Sequence, residues 1–298
     1  MKRLLAAGLL FTGAAVFATQ QLPAATPSAK THAAAQDRVD MELMTWVEIK
    51  DAMAHGKTTA LIYNGGTEQR GPQAVVGGHT LVAHAKAVAI ARKLGNALAA
   101  PVLPFSPNRA DPALPGTIGI TAQTFKDINE EVAEQLVLNG FKNVVLMGDH
   151  GGGQKELAQV ASDLNAKYAS QGVHVVFCSD AYLKSNDDFD RYIASKGLSP
   201  GGHASVNDTS EMMYLQPAPN AWIRSDKLHL AVGTHQSKDS LTGHGKAEFA
   251  SNGVMGDGRA STAAIGKVGY DLHVDEAVAQ IRYLLGESRK NPDETASK

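Results

Sequence analysis

The chain has 298 residues, 43% of them hydrophobic and 19% charged, with a net charge of −2. That is enough apolar material for one large core or two modest ones, and too much for a disordered chain. The nearly balanced charge makes no electrostatic case for nucleic acid or an anionic membrane, so the expected partner is a small-molecule substrate.

The first residues, MKRLLAAGLLFTGAAVFA, join a basic start at Lys2 and Arg3 to an apolar stretch from Leu4 to Ala18. This is the pattern of a secretory signal peptide over residues 1–18, cut after Ala18, with the alanines at 24 and 25 as alternative sites. The apolar run is shorter than a membrane span requires, and no later segment is suited to crossing a bilayer. A periplasmic or secreted protein without a membrane anchor after signal removal is the expectation. Residues 19–40 are rich in Ala, Pro, Thr, Gln and Ser and read as a flexible mature N terminus. Export permits disulfides, but Cys178 is the single cysteine, so none forms within the chain. Lying in the apolar stretch VHVVFCSD, it reads as a small buried hydrophobe.

One domain is expected over residues 41–285. Its first element is a short helix in MELMTWVEIKDAMAHGK, where Thr45 and Glu48 have the spacing of a capping box. A strand over 59–64, TALIYN, runs into Gly65, Gly66 and the polar loop TEQRGPQAVVGGHT. The alanine-rich helix LVAHAKAVAIARKLG follows and is closed by Gly95. Residues 99–103 read as a second strand, and Pro104, Pro107, Pro112 and Pro115 make the next stretch a rigid loop. Between 121 and 139, Phe125, Ile128, Val132, Leu136 and Val137 recur on one helical face, with Gly140 as the stop.

The apolar run at 144–147 has the length and β-branching of a buried strand, and it ends on Gly148, Asp149, His150, Gly151, Gly152 and Gly153. A packed strand thereby delivers an acid and an imidazole to its carboxyl end. Three consecutive glycines cost backbone entropy that a simple turn does not demand, so a close approach is expected there. A helix over 155–170 and a strand over 173–177 follow. The repeated order of strand, glycine-rich loop and helix predicts an α/β fold with a largely parallel sheet, helices on both faces, and ligand sites beyond the strands' carboxyl ends. Past Cys178 come an irregular section, a Gly-Gly-His loop and a short helix from Asp208 or Thr209. A polar stretch over 221–252 with His229, His235 and His244 follows, then an amphipathic helix over 274–285 and a polar tail over 286–298.

Three loops hold the chemistry-bearing groups: Glu68, Arg70 and His79 in the first, Asp149 and His150 in the second, His203 and Asp208 in the third. Each lies just after a strand or just before a helix, where the architecture lets them converge. Carboxylates and imidazoles together suit zinc or manganese with one position left to water. Taken singly, each has an ordinary reading: Glu68 as a solvated loop residue, His79 as a helix cap, Asp208 as an N-cap, and His84 as a core or surface residue.

The segments GGTEQRGPQAVVGGHT, PGTIGITAQTF, VVLMGDHGGG, HASVNDTSEMM and GVMGDGRASTAAIGK resemble, in order, five signature segments of the creatininase family of metal-dependent amidohydrolases. The resemblance implies a three-layer α/β sandwich, a homo-oligomer that is commonly a hexamer, and one or two zinc or manganese ions activating water against a cyclic or linear amide. It places Glu68 and His150 at metal-binding positions, and Asp208 where the family has a glutamate. Arg70 stands in place of a metal-binding histidine and His79 in place of the aspartate that bridges two ions, while Asp149 and Gly153 replace the usual Gly and Asn around the histidine.

Arginine has no lone pair to offer, and an imidazole does not bridge two ions as a carboxylate does. The expected centre is therefore mononuclear, zinc first and manganese second, with Glu68, His79, His150 and Asp208 as ligands. Arg70 then occupies the space of the second ion and steadies a substrate carboxylate or an oxyanion, while Asp149 and His203 complete the catalytic set. The expected activity is hydrolysis of a small amide or lactone. Two alternatives stand beside it: a periplasmic binding or structural descendant without catalysis, and a metal-independent lyase or isomerase using Arg70, Asp149 and His150.

Overall fold

The computed structural model describes residues 38–233 and 251–287. The expected signal peptide, most of the stretch expected to be a flexible N terminus, His235, His244 and residues 288–298 lie outside the described residues.

Four parallel strands, β1 (Thr59–Asn64), β2 (Ala97–Ala99), β3 (Asn143–Gly148) and β4 (His174–Phe177), lie side by side in the order β2, β1, β3, β4. The central pair β1 and β3 is in register over its whole length, from Thr59 opposite Asn143 to Asn64 opposite Gly148. Every residue of β1 is buried, and in β3 only Asn143 is not. Burial on both faces is why these strands read as continuous apolar runs without alternation. Leu146, fully buried at the centre, illustrates the stakes: truncation to Ala would cost about 2–5 kcal/mol.

The helices are α1 (Trp46–Ala54), α2 (Gly78–Leu94), α3 (Ala122–Leu138), α4 (Gln154–Tyr168), α5 (Leu183–Ser195), α6 (Val206–Leu215) and α7 (Ala263–Leu284). The chain goes from β1 outward to β2, then back across the sheet to β3 and β4. Right-handed crossovers therefore put α2 on one face and α3 and α4 on the other. Accordingly α2 packs against α7, which in turn contacts α5 and α6, while α3 packs against α4. The expected sandwich, a parallel sheet flanked by helices on both faces, is what forms. The reversal in strand order falls between β1 and β3, where such a sheet opens a crevice at the carboxyl ends.

Several boundaries differ from the sequence-based expectation. The second strand occupies Ala97–Ala99, not 99–103, because Pro101 has no N–H to continue the ladder. The packed part starts by Val39, which is 2% exposed and accepts the Ala99 N–H through its carbonyl at 2.7 Å. The capping box of α1 is present, with Thr45 and Glu48 serving each other's backbone N–H groups.

The section after Cys178, expected to be irregular, contains α5. Its buried Ser185, Phe189 and Ile193 recur every fourth residue, but one of the three is a serine and the stretch 184–188 is polar throughout, which masks the periodicity. Helix α7 begins at Ala263, eleven positions before the expected 274. Its first half is disguised by Gly266 and Gly269, which are there for packing. A Cβ on Gly266 would stand 1.8 Å from the Ser210 carbonyl oxygen of α6, and one on Gly269 would stand 2.3 Å from the Phe189 ring. The N-cap of α6 is Ser205, so Asp208 lies in the first turn and is not the cap.

Candidate metal centre

The three polar loops converge beyond β1 and β3, and Glu68 is their hub. Its backbone is held by a hydrogen bond to the Val76 carbonyl at 2.9 Å, and its side chain is buried. Oε1 of Glu68 lies 2.9 Å from His79 Nε2 and 3.2 Å from His203 Nδ1, while Oε2 lies 3.1 Å from His150 Nε2. His79 comes from the first turn of α2, His150 from just past β3, and His203 from the loop before α6. Strand exits and helix starts thus supply all four groups.

The proton positions test whether an ion fits. His79 Nδ1 stands 2.8 Å from Asp149 Oδ2, a carboxylate that accepts its N–H. In the neutral ring, Nε2 then turns a lone pair toward Glu68 Oε1. His203 is arranged in the same way, with Nε2 2.5 Å from the Gln69 carbonyl and Nδ1 facing the same Glu68 oxygen, so a proton on Nε2 turns a second lone pair toward Glu68. Acceptors facing each other at such distances repel unless a cation lies between them, either a further proton or a metal ion. Gly152 presents both its N–H, at 3.0 Å, and its carbonyl, at 3.2 Å, to His150 Nδ1, so either tautomer is served. With the proton on the carbonyl side, His150 Nε2 is free as a ligand. The ligand atoms of Glu68, His79 and His150 all lie within 4.8 Å of one another. A divalent metal cofactor fits this oxygen and nitrogen set.

Asp149 is buried and sits behind His79, with Oδ2 on the ring and Oδ1 2.9 Å from Lys86 Nζ. A carboxylate behind an imidazole in this way fixes the ring's tautomer and turns its other nitrogen toward Glu68, where an ion would be held. Burial pushes the Asp149 carboxyl up, but the Lys86 ammonium and His79 outweigh it and hold the group well below the usual carboxylate range. Glu68 is likewise held well below that range, because His203 and His150 overcome the penalty of burial. His150 is raised above its ordinary value, burial being outweighed by the Glu68 carboxylate.

Asp208 does not join the three-residue group. Its Oδ2 accepts from Arg70 Nη2 at 2.7 Å and from the Ala204 N–H at 2.9 Å. Arg70 is 3% exposed, and its Nη1 reaches Glu68 Oε1 at 3.5 Å. Room for the guanidinium comes from Gly78, where a Cβ would stand 2.8 Å from Arg70 Nε. Ala204, beside His203, has a left-handed backbone at φ 59°, and the Asp208 carboxylate on its N–H and the Gln73 amide on its carbonyl lock it there.

The structure also brings in residues that the sequence pattern passed over. Asn108, from the proline-rich loop, donates to Glu68 Oε2 at 2.7 Å. Lys86 lies at the heart of the network although lysine on an alanine-rich helix usually reads as solvated. His84 stays out of the centre and pairs with Asp40 at 2.8 Å.

The family model described as creatininase, creatinine amidohydrolase, matches residues 42–281. The chain belongs to the creatininase family. Among solved structures, a creatinine amidohydrolase (creatininase) is similar at 18% identity and a TM-score of 0.66, covering 85% of this chain and 99% of that one. A structure described as creatininase Mn is similar at 19% identity and a TM-score of 0.64, over 83% and 98%. A putative creatinine amidohydrolase from Bacteroides fragilis NCTC 9343 is similar at 17% identity and a TM-score of 0.63, over 86% and 99%. No curated protein matches the sequence. Family membership and the buried donor cluster together make this an enzyme, a metal-dependent hydrolase of the creatininase type. Among the described residues no helix is long and apolar enough to cross a membrane.

Proposed function

We propose that this creatininase-family enzyme hydrolyses a small cyclic or linear amide, or a lactone, with one divalent ion, zinc in the first place and manganese in the second. Glu68, His79 and His150 hold the ion, and Asp208, expected from the sequence as a fourth ligand, instead holds Arg70. A divalent ion held there would supply polarisation of a carbonyl and activation of water.

One observation carries the single-ion reading: a buried guanidinium lies between Glu68 and Asp208, at 3.5 and 2.7 Å. Glu68, Asp149, Asp208 and Glu211 are carboxylates held below their ordinary values, and Arg70 is the buried cation among them that never titrates. The carboxylates outnumber Arg70 and Lys86, so the cluster draws in further positive charge, as protons on the imidazoles beside Glu68 and Glu211 or as a divalent ion.

The remaining groups have distinct tasks. Arg70, immobilised by Asp208, supplies a fixed positive charge where negative charge develops on the carbonyl oxygen. Asp149 orients His79, and with both oxygens engaged it moves no proton. His203 also has both ring nitrogens engaged, by Glu68 Oε1 and by the Gln69 carbonyl, and serves a departing nitrogen or oxygen only when substrate replaces one of these contacts. Export through residues 1–18 to the periplasm or beyond, and assembly as a homo-oligomer up to a hexamer, belong to the same proposal. The mass of the mature chain and light scattering check those two points.

Elemental analysis of protein purified without chelator, alongside hydrolysis of a panel of cyclic amides, lactones and formamides, tests the whole. One equivalent of metal and chelator-sensitive turnover are expected. Two equivalents would sink the single-ion reading. Turnover indifferent to chelator would favour a metal-free enzyme in which a doubly protonated His79 bridges Glu68 and Asp149.

A further inference from the structure

Lys86 is 1% exposed, deep in α2 and seven residues after His79, so both project from one face of the helix. Its ammonium donates to Asp149 Oδ1 at 2.9 Å and to Glu211 Oε2 at 3.0 Å. The other oxygen of Glu211 lies 2.9 Å from His273 Nδ1 on α7, which is also 2.8 Å from the Gly269 carbonyl. A buried hydrogen-bonded chain thus runs from Glu68 through His79, Asp149 and Lys86 to Glu211, with His273 at ion-pair distance beyond it, joining the centre to α6 and α7.

A buried ion pair adds little net stability compared with apolar packing, so cohesion alone does not explain a lysine here. What it adds is geometry. With Oδ1 held by Lys86, the Asp149 carboxylate neither rotates nor turns toward the ion itself, and Oδ2 stays on His79 Nδ1. We propose that Lys86 is a positioning residue of the metal centre, clamping Asp149 between α2 and α6 so that His79 presents Nε2 to the ion. The inference rests on the reading of His79 as a ligand.

The test titrates metal-free protein with zinc against a chromophoric chelator and records the visible spectrum of the cobalt-loaded form. The double variant Lys86→Met/Glu211→Leu removes one charge of each sign but leaves Asp149 Oδ1 without its ammonium, so its melting temperature is measured first and the readouts are taken where it is folded. Its zinc affinity is expected to fall by about 10- to 100-fold, the usual loss when the partner of a ligating histidine is disturbed, with an altered cobalt spectrum. Lys86→Gln, a second variant for use where the double variant does not fold, is expected to shift both readouts in the same direction by a smaller factor. Glu211→Gln leaves Lys86 on Asp149 and is expected to lose less than about 10-fold.

Wild-type affinity and an unaltered cobalt spectrum in folded Lys86 variants would overturn the proposal while leaving the single-ion reading intact. So would a loss in Glu211→Gln as large as that of the double variant, since the effect would then lie in the packing of α6. Wild-type protein that takes up no zinc would overturn both.

Discussion

Asp208 Oδ2 accepts from Arg70 Nη2 at 2.7 Å, so a carboxylate that the family resemblance assigned to a metal is committed to a guanidinium. The pair sits beside Glu68, with Arg70 Nη1 3.5 Å from Oε1, and places a permanent positive charge at the edge of the candidate centre. Arginine keeps its charge at every ordinary pH, so this part of the site is permanently cationic.

Arg70→Gln should therefore separate metal binding from turnover. Removing the positive charge deepens the negative potential around Glu68, so zinc affinity in a chelator competition is expected to rise. At the same time kcat should drop by about 10²-fold or more, the usual loss when a group stabilising a developing oxyanion is removed. A fall in affinity with kcat unchanged would mean that Arg70 merely supports the loop.

Metal loading should depend on pH through His150. Its folded pKa stands above the ordinary value, because Glu68 outweighs burial. In the metal-free protein, the stabilisation this brings is complete below an unfolded pKa of about 6.5 and is lost as the pH rises through the raised folded value. The ion needs the neutral ring and competes with that proton, so affinity should weaken as the pH falls through the raised value, with about one proton released by His150 per ion bound. Isothermal titration in buffers of different ionisation enthalpy measures the release.

The acid side is governed by carboxylates. Glu68, Asp149, Asp208 and Glu211 are all held below their ordinary values. Their stabilisation is complete above unfolded values of about 4 and is lost as the pH falls from there through the lowered folded values. The urea midpoint of metal-free protein should thus fall steeply below about pH 4. Asp149→Asn should flatten that fall, and an unchanged slope would remove Asp149 from the network.

Much of this was readable in the sequence because the architecture does the placing. Glu68, His79, Asp149, His150 and His203 follow strands or precede helices, and a parallel sheet gathers such positions at one edge. Lys86 was hidden by its context, an alanine-rich helix in which only the seven-residue spacing from His79 hinted at a shared inner face. Asn108 was hidden among prolines, which identify a rigid loop but not the direction of its side chains. Asp208 has a type that suits a ligand, and the guanidinium beside it is visible only in the fold. Helix α5 was lost because a short buried stripe on a polar helix barely differs from a loop.

Gly119 offers a test of how the proline-rich loop serves the centre. A Cβ there would stand 2.0 Å from the Asn108 carbonyl oxygen, a backbone atom that cannot swing aside as a side chain would. The loop is pinned on both sides, by pairing of Thr67 with Ile118 and of Pro107 with Ile120. Relief must therefore come from moving Asn108, whose amide donates to Glu68 Oε2 at 2.7 Å. Gly119→Ala is expected to cost about 1–3 kcal/mol of stability, as overpacking does. It should also weaken zinc binding in the same direction as Asn108→Ala, which removes the hydrogen bond without touching the backbone. If Gly119→Ala lowers the melting temperature while zinc affinity stays at the wild-type value, the loop braces the fold and takes no part in holding Glu68.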